Sequence, residues 1–128
     1  MIDLDHFKRI NDTHGHAAGD EVLRTVGARL AELLRVGDAV VRFGGEEFLL
    51  VLPGAGRRQA RQIAERARAA LARSPVRAGE LEIPITASFG VAERMGDETR
   101  DEVIARADQA LYRAKERGRD RVELAVPA

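Results

Sequence analysis

No cysteine occurs in the 128 residues. Disulfide bridges and thiolate metal sites are therefore excluded, and a reducing compartment is permitted without being required. An excess of one charge is missing as well: 21 Lys plus Arg face 21 Asp plus Glu, a formal net charge of +0. A general nucleic-acid binder usually carries a basic excess, so this balance argues against one while leaving room for a local basic pocket. Long apolar runs are absent, and those present fall far short of a membrane span. No charged-then-apolar leader opens the chain, so no signal peptide is expected. Internal repeats and low-complexity linkers are absent too. What remains is one domain's length of chain, 45% apolar, enough for a hydrophobic core.

That chain is organised around Val40 to Pro53, VVRFGGEEFLLVLP. Two β-prone runs, Val40–Phe43 and Phe48–Leu52, flank Gly44-Gly45-Glu46-Glu47. Paired glycines between such runs predict a hairpin with a two-residue primed turn, since glycine takes φ > 0 freely. Two adjacent carboxylates follow at the tip, where glycines let a large anion approach the backbone. A plain hairpin needs neither feature, although a solvated turn with two surface acids would give the same pattern.

In chain order, Met1–Asp5 reads as the tail of a strand, with Ile2 and Leu4 alternating with acids. His6–Asp12 has Phe7 and Ile10 at helical spacing, and Gly15–Asp20 reads as a loop. A helix from Glu21 presents Val22, Leu23, Val26, Leu30, Leu33 and Leu34 on one face. Gly37-Asp38 ends it and opens the hairpin. After Pro53-Gly54, a helix over Arg57–Arg73 turns Ala60, Ile63, Ala64, Ala67 and Leu71 inward, and Ser74-Pro75 stops it. Glu80–Pro84 leads into a strand, Ile85–Ala92, in which Ile85, Ala87, Phe89 and Val91 alternate with smaller or polar residues. Thr99 and Glu102 predict a capping box for a last helix, with Val103, Ile104, Ala107, Leu111 and Ala114 on its face and Gly118 as its stop. Val122, Leu124 and Val126 make a final strand. The order of elements predicts an α/β (α+β) fold, with helices packed on a mixed, mainly antiparallel sheet.

Chemistry collects at the strand ends. If the first strand neighbours the strand after the turn, Asp3 and Glu46 meet at one sheet edge. Carboxylates with a backbone carbonyl between them are hard oxygen ligands suited to Mg²⁺ and phosphate-bearing substrates. Phe7 and Lys8 open a helix, whose first N–H groups favour phosphate. Lys115, Arg117 and Arg119 crowd the end of the last helix, where cations also suit the helix dipole without any ligand. Asn11 and Asp20 carry groups able to read a guanine edge, though such residues are also common caps.

Taken together, Asp3-Leu4-Asp5-His6-Phe7-Lys8, Asn11-Asp12, Gly15-His16, Gly19-Asp20, Gly44-Gly45-Glu46-Glu47-Phe48, Ala114-Lys115 and Gly118-Arg119 resemble the GGDEF family of diguanylate cyclases. The resemblance runs along essentially the whole chain in the family's order and spacing. It implies a palm-like nucleotide-cyclase architecture over residues 1–128. It also implies a reaction that joins two GTP into cyclic di-GMP and releases two pyrophosphates. Asp3, Glu46 and the Leu4 carbonyl would ligate Mg²⁺ (or Mn²⁺), two ions per active site, with Glu47 assisting; Glu46 and Glu47 would be the catalytic acids. Asn11 and Asp20 would contact guanine. The Phe7 and Lys8 amides, Lys115 and Arg119 would hold the triphosphate, and Gly44 and Gly45 would let the nucleotide lie against the turn.

Arg35-Val36-Gly37-Asp38 resembles the family's inhibitory RxxD site for cyclic di-GMP, with Arg66 as a second arginine. Two departures accompany the match. The family's first helix and fuller first strand are not seen ahead of Met1, and Asp120 stands where an asparagine commonly follows the Gly-Arg pair. Because each site holds one GTP, the resemblance further implies a homodimer driven by upstream sequence, and a cytoplasmic setting with no membrane contact from these residues. The rival expectation is a catalytically inactive module that serves as a receptor for cyclic di-GMP or GTP.

Overall fold

The computed structural model describes residues 1–126. Its elements are β1 (Ile2–Leu4), α1 (Phe7–His14), α2 (His16–Glu32), β2 (Ala39–Arg42), β3 (Glu47–Val51), α3 (Arg57–Arg73), β4 (Val76–Ala78), β5 (Leu81–Ile83), β6 (Ala87–Val91), α4 (Arg100–Glu116) and β7 (Val122–Leu124). Five strands form one sheet in the order β2-β3-β1-β6-β7, and β4 and β5 form a separate two-stranded sheet. Pairing is antiparallel except between β6 and β7. The mixed, mainly antiparallel sheet with packed helices agrees with the expected class.

Helices cover both faces of the sheet. Ile2, Phe48 and Phe89 are cross-strand partners and so share one face. Against them pack Val22, Val26 and Leu30 of α2, with Ala64, Ala67 and Leu71 of α3. Met1 and Leu49 lie on the opposite face, under Ala107 and Leu111 of α4. Gly90 explains how closely α4 approaches: a Cβ there would fall 2.1 Å from the Ala107 carbonyl oxygen and 2.4 Å from the Leu111 nitrogen. The helix backbone itself rests on the strand, which leaves no space for a side chain.

Several local expectations need correction. The segment 15–20 is not a loop. Only Gly15, at φ 91, breaks the helix, and α2 starts at His16. The small and polar residues of β6 do not face solvent, since Ala87 to Gly90 are all buried. A central strand covered on both faces loses its alternation. Residues 76–83 form a hairpin the sequence reading did not resolve, turning at Gly79 with φ 61. Val126 lies beyond the end of β7. The expected capping box on α4 is present, with Glu102 N–H donating to Thr99 Oγ at 3.2 Å and Thr99 N–H to Glu102 Oε1 at 3.0 Å.

The turn between β2 and β3 also differs from the predicted primed pair. Phe43 N–H donates to the Glu47 carbonyl at 2.9 Å, leaving a three-residue tip of Gly44, Gly45 and Glu46. Neither Gly44 nor Gly45 has a positive φ. A Cβ at Gly45 would meet no atom within 4 Å, while one at Gly44 would stand 3.1 Å from Glu47 Oε1.

Candidate active site

β1 is a central strand, flanked by β3 and β6. The acids therefore meet at the end of the sheet's middle strands and not at a sheet edge as expected. Asp3 is the cross-strand partner of Glu47, so their side chains share a face. Leu4 N–H donates to the Glu46 carbonyl at 3.3 Å, which brings Glu46 beside the end of β1. A cleft of about 480 Å³ opens there, lined by Asp3, Leu4, Glu46, Phe7, Lys8, Lys115 and Arg119 among others. It thus unites oxygen donors from β1 and the hairpin tip with cations from α1, α4 and the turn after α4.

Lys115 Nζ donates to Asp3 Oδ2 at 2.5 Å. Burial pushes the Asp3 carboxyl above its ordinary range; the Lys115 hydrogen bond and charge pull it back, while Glu46 and Asp5 add to the rise. Glu47 is raised too, first by burial and then by Asp3 and Asp108. The converging acids therefore favour a positive charge between them, and the lysine ammonium supplies one. Among the described residues no three acidic or histidine side chains gather closely enough to hold an ion by themselves. A cation seated here would complete its shell with the Leu4 carbonyl and with substrate oxygens, as magnesium sites commonly do. The all-oxygen donor set fits such a hard ion.

The remaining expected residues fall as follows. Phe7 and Lys8 occupy the first turn of α1, Phe7 buried and Lys8 exposed. Asn11 and Asp20 lie on α1 and α2, not on either side of a loop, and these two helices pack together. Gly19 touches Asn11 so closely that a Cβ would stand 1.8 Å from its Oδ1. Glu47 is not in the cleft wall but on the sheet face beside it. Arg119 lines the cleft, its Nη1 donating to the Lys115 carbonyl at 3.4 Å.

Arg35 and Asp38 lie outside this cleft. Their turn is closed by Asp38 N–H to the Arg35 carbonyl at 3.0 Å and by Arg35 N–H to Asp38 Oδ2 at 3.0 Å. The Asp38 side chain is 3% exposed and the Arg35 side chain 52%, so the arginine is presented to solvent over a fixed carboxylate. Arg66 is exposed on α3.

Sequence reasoning missed two supports. Arg42 donates from Nε and Nη2 to the Gly45 carbonyl at 3.1 and 2.9 Å, which holds the hairpin tip. Asp5 is buried and bonded to three donors from distant segments. The signal for Arg42 was its place one turn-length before Gly45. Asp5 stood inside a motif, but nothing there marked its partners.

A profile described as "Diguanylate cyclase, GGDEF domain" matches residues 1–121. The chain belongs to the GGDEF family. Diguanylate cyclase DgcP of Pseudomonas aeruginosa is 49% identical over 125 residues, covering 98% of this chain and 19% of that protein. Diguanylate cyclase VdcA of Vibrio cholerae is 45% identical, covering 95% of this chain and 37% of that protein. The crystal structure of the GGDEF domain of DgcB from Caulobacter crescentus, in complex with c-di-GMP, superimposes with a TM-score of 0.92 at 35% identity. It covers 98% of this chain and 73% of that one. This GGDEF domain therefore spans well under half the length of the curated relatives it matches. Among its described residues no helix is long and apolar enough to cross a membrane.

Proposed function

We propose that this GGDEF domain is the catalytic unit of a diguanylate cyclase, condensing two GTP into cyclic di-GMP with release of two pyrophosphates. The observation that carries the reading is the single cleft in which Asp3, Leu4 and Glu46 face Lys8, Lys115 and Arg119. Hard oxygen donors beside several cations suit a metal-bound polyphosphate.

In this reading Asp3, the Leu4 carbonyl and Glu46 hold Mg²⁺ or Mn²⁺, two ions per site, with Glu47 on the adjacent sheet face. Such ions, when bound, polarise phosphoryl oxygens and make the attacking hydroxyl more nucleophilic. The chain's own groups position the substrate. The Phe7 and Lys8 amides, Lys115 and Arg119 fix the triphosphate, and Asn11 and Asp20 read guanine from the α1–α2 pair. Gly44 and Gly45 leave the tip open for the nucleotide. Lys115 has two partners to serve, and its move from Asp3 to phosphate accompanies loading. Each 3′-OH attacks the other nucleotide's α-phosphorus, and preorganised charge lowers the barrier.

One site holds one GTP, so two copies face each other across the substrates; upstream sequence brings them together. GTP as substrate places the reaction in the cytoplasm. Arg35, Asp38 and Arg66 form the feedback site, the exposed guanidinium pairing with a phosphate or guanine edge of the product.

The test is product formation by the intact protein from GTP and Mg²⁺, with the nucleotides separated. Cyclic di-GMP is expected from the unmutated protein, and Glu46→Gln is expected to lose turnover by at least about a hundredfold with its fold intact. Wild-type rates in that variant would reject Glu46 as a ligand. Binding of cyclic di-GMP with no synthesis would point instead to a receptor.

A further inference from the structure

Asp5 lines the same cleft but has no role in the chemistry proposed above, and its carboxylate is only 7% exposed. Three donors converge on it. Thr86 Oγ1 donates to Oδ2 at 2.6 Å, Ser88 Oγ to Oδ1 at 2.6 Å, and the Asp120 N–H to Oδ2 at 3.0 Å. The hydroxyls tie Asp5 to β6 and the residue just before it. The amide ties it to the turn that follows α4, 115 residues away.

That turn is unusual. Gly118 has φ 119, and Arg119 and Asp120 follow it at φ 64 and 45. Two consecutive non-glycine residues in the left-handed region persist only where their surroundings fix them. Part of the fixing is local: Gly118 N–H reaches the Lys115 carbonyl at 3.4 Å and Arg119 N–H the Ala114 carbonyl at 2.9 Å, a Schellman closure of the helix. Arg68 Nη1 adds a bond to Asp120 Oδ1 at 2.9 Å from α3. The Asp5 bond differs from both, because it joins the turn to the chain segment between Asp3-Leu4 and Phe7-Lys8. From this turn Arg119 reaches the cleft. The two hydroxyls hold Asp5 against β6, and the amide bond alone carries its carboxylate across to the Arg119 turn.

We propose that Asp5 is a positioning residue for Arg119, its carboxylate setting the placement of the phosphate-holding arm against the metal-holding strand end. The assignment rests on the reading of Arg119 as a triphosphate contact.

Asparagine should substitute well. Its oxygen can take the place of Oδ2 and its amide the place of Oδ1, with the Ser88 hydroxyl turning to accept. Serine is too short to reach Asp120. The experiment measures binding of α,β-methylene GTP with Mg²⁺ to the intact protein by calorimetry. Asp5→Asn and Asp5→Ser are each made alone and with Arg119→Ala, and thermal melts accompany every variant. Asp5→Ser is expected to weaken binding about tenfold and Asp5→Asn by less than about threefold, with no further loss from Asp5→Ser once Arg119 is alanine. Hydrogen exchange at the Asp120 amide of the unmutated protein is expected to slow when the analogue binds. Wild-type affinity in the serine variant, an equal loss in the Arg119→Ala background, or unchanged exchange would each overturn the proposal. So would failure of the serine variant to fold, which would make Asp5 a core residue first. No binding by the unmutated protein would overturn the nucleotide reading itself, and this assignment with it.

Discussion

Produced as residues 1–128 alone, the domain carries an amine on Met1 that offers a test of the sheet's interior. The amine donates to the Gly90 carbonyl at 2.8 Å from a buried position between β3 and β6. Burial lowers its pKa from the ordinary 8.0 to about 6, against the opposing pull of Asp108 and Glu47. An amine with a depressed folded value binds fewer protons folded than unfolded across that interval, so stability must rise with pH between them. A shift of about 2 units corresponds to at most about 2.7 kcal/mol, of which roughly 2 kcal/mol is recovered between pH 6 and pH 8. For a domain of this size that is roughly 6–10 °C in melting temperature. Acetylating Met1, or placing residues ahead of it, turns the amine into an amide that keeps the Gly90 hydrogen bond and carries no charge. The assay is urea unfolding of both chains at pH 6, 7 and 8. The free-amine chain is expected to gain stability along the series relative to the blocked one. Groups that exert no pull on the amine titrate alike in both chains and cancel; the acids that pull on it, Asp108 and Glu47, do not. Two parallel profiles would refute the buried charge.

Gly90→Ala forces a methyl group into the α4 backbone; a loss of about 3 kcal/mol or more is expected in denaturant unfolding. Gly19→Ala must displace the Asn11 side chain and crowds the Phe7 ring at 3.2 Å, so the melting temperature should fall by a few degrees, roughly 1 kcal/mol or less of stability. GTP affinity should fall about tenfold, and equal weakening toward ATP would argue against a base contact. Arg35→Ala with Asp38→Ala should weaken cyclic di-GMP binding by on the order of 2–3 kcal/mol in calorimetry and relieve product inhibition. Unchanged affinity would make the RxxD turn a chance match.

Long, strongly periodic segments were legible in the sequence. The faces of α2, α3 and α4 emerged from apolar spacing, and Thr99 with Glu102 announced the start of α4. The pairing of β1 with β3 entered the reading only as a condition for Asp3 and Glu46 to meet, and the sheet meets that condition. What escaped reading depended on tertiary neighbours. Gly15 and Gly19 look like loop residues, but Gly19 lies inside α2 because Asn11 packs against it. Ser88 and Gly90 look like the exposed side of a strand, but α4 rests on them. The Gly44-Gly45 pair suggested a backbone need, whereas neither glycine has a positive φ. Asp5 stands inside a motif, but its partners were not legible there, since residues 86, 88 and 120 come together only in the folded domain.

The Asp3–Lys115 pair spans 112 residues. During synthesis, every chain shorter than α4 lacks the lysine that neutralises the aspartate, and lacks Arg119 as well. A ribosome-bound fragment can therefore display the hairpin and the first helices with no competent pocket. On the proposed reading, nucleotide capture waits until the last helix has left the ribosome and closed onto the first strand.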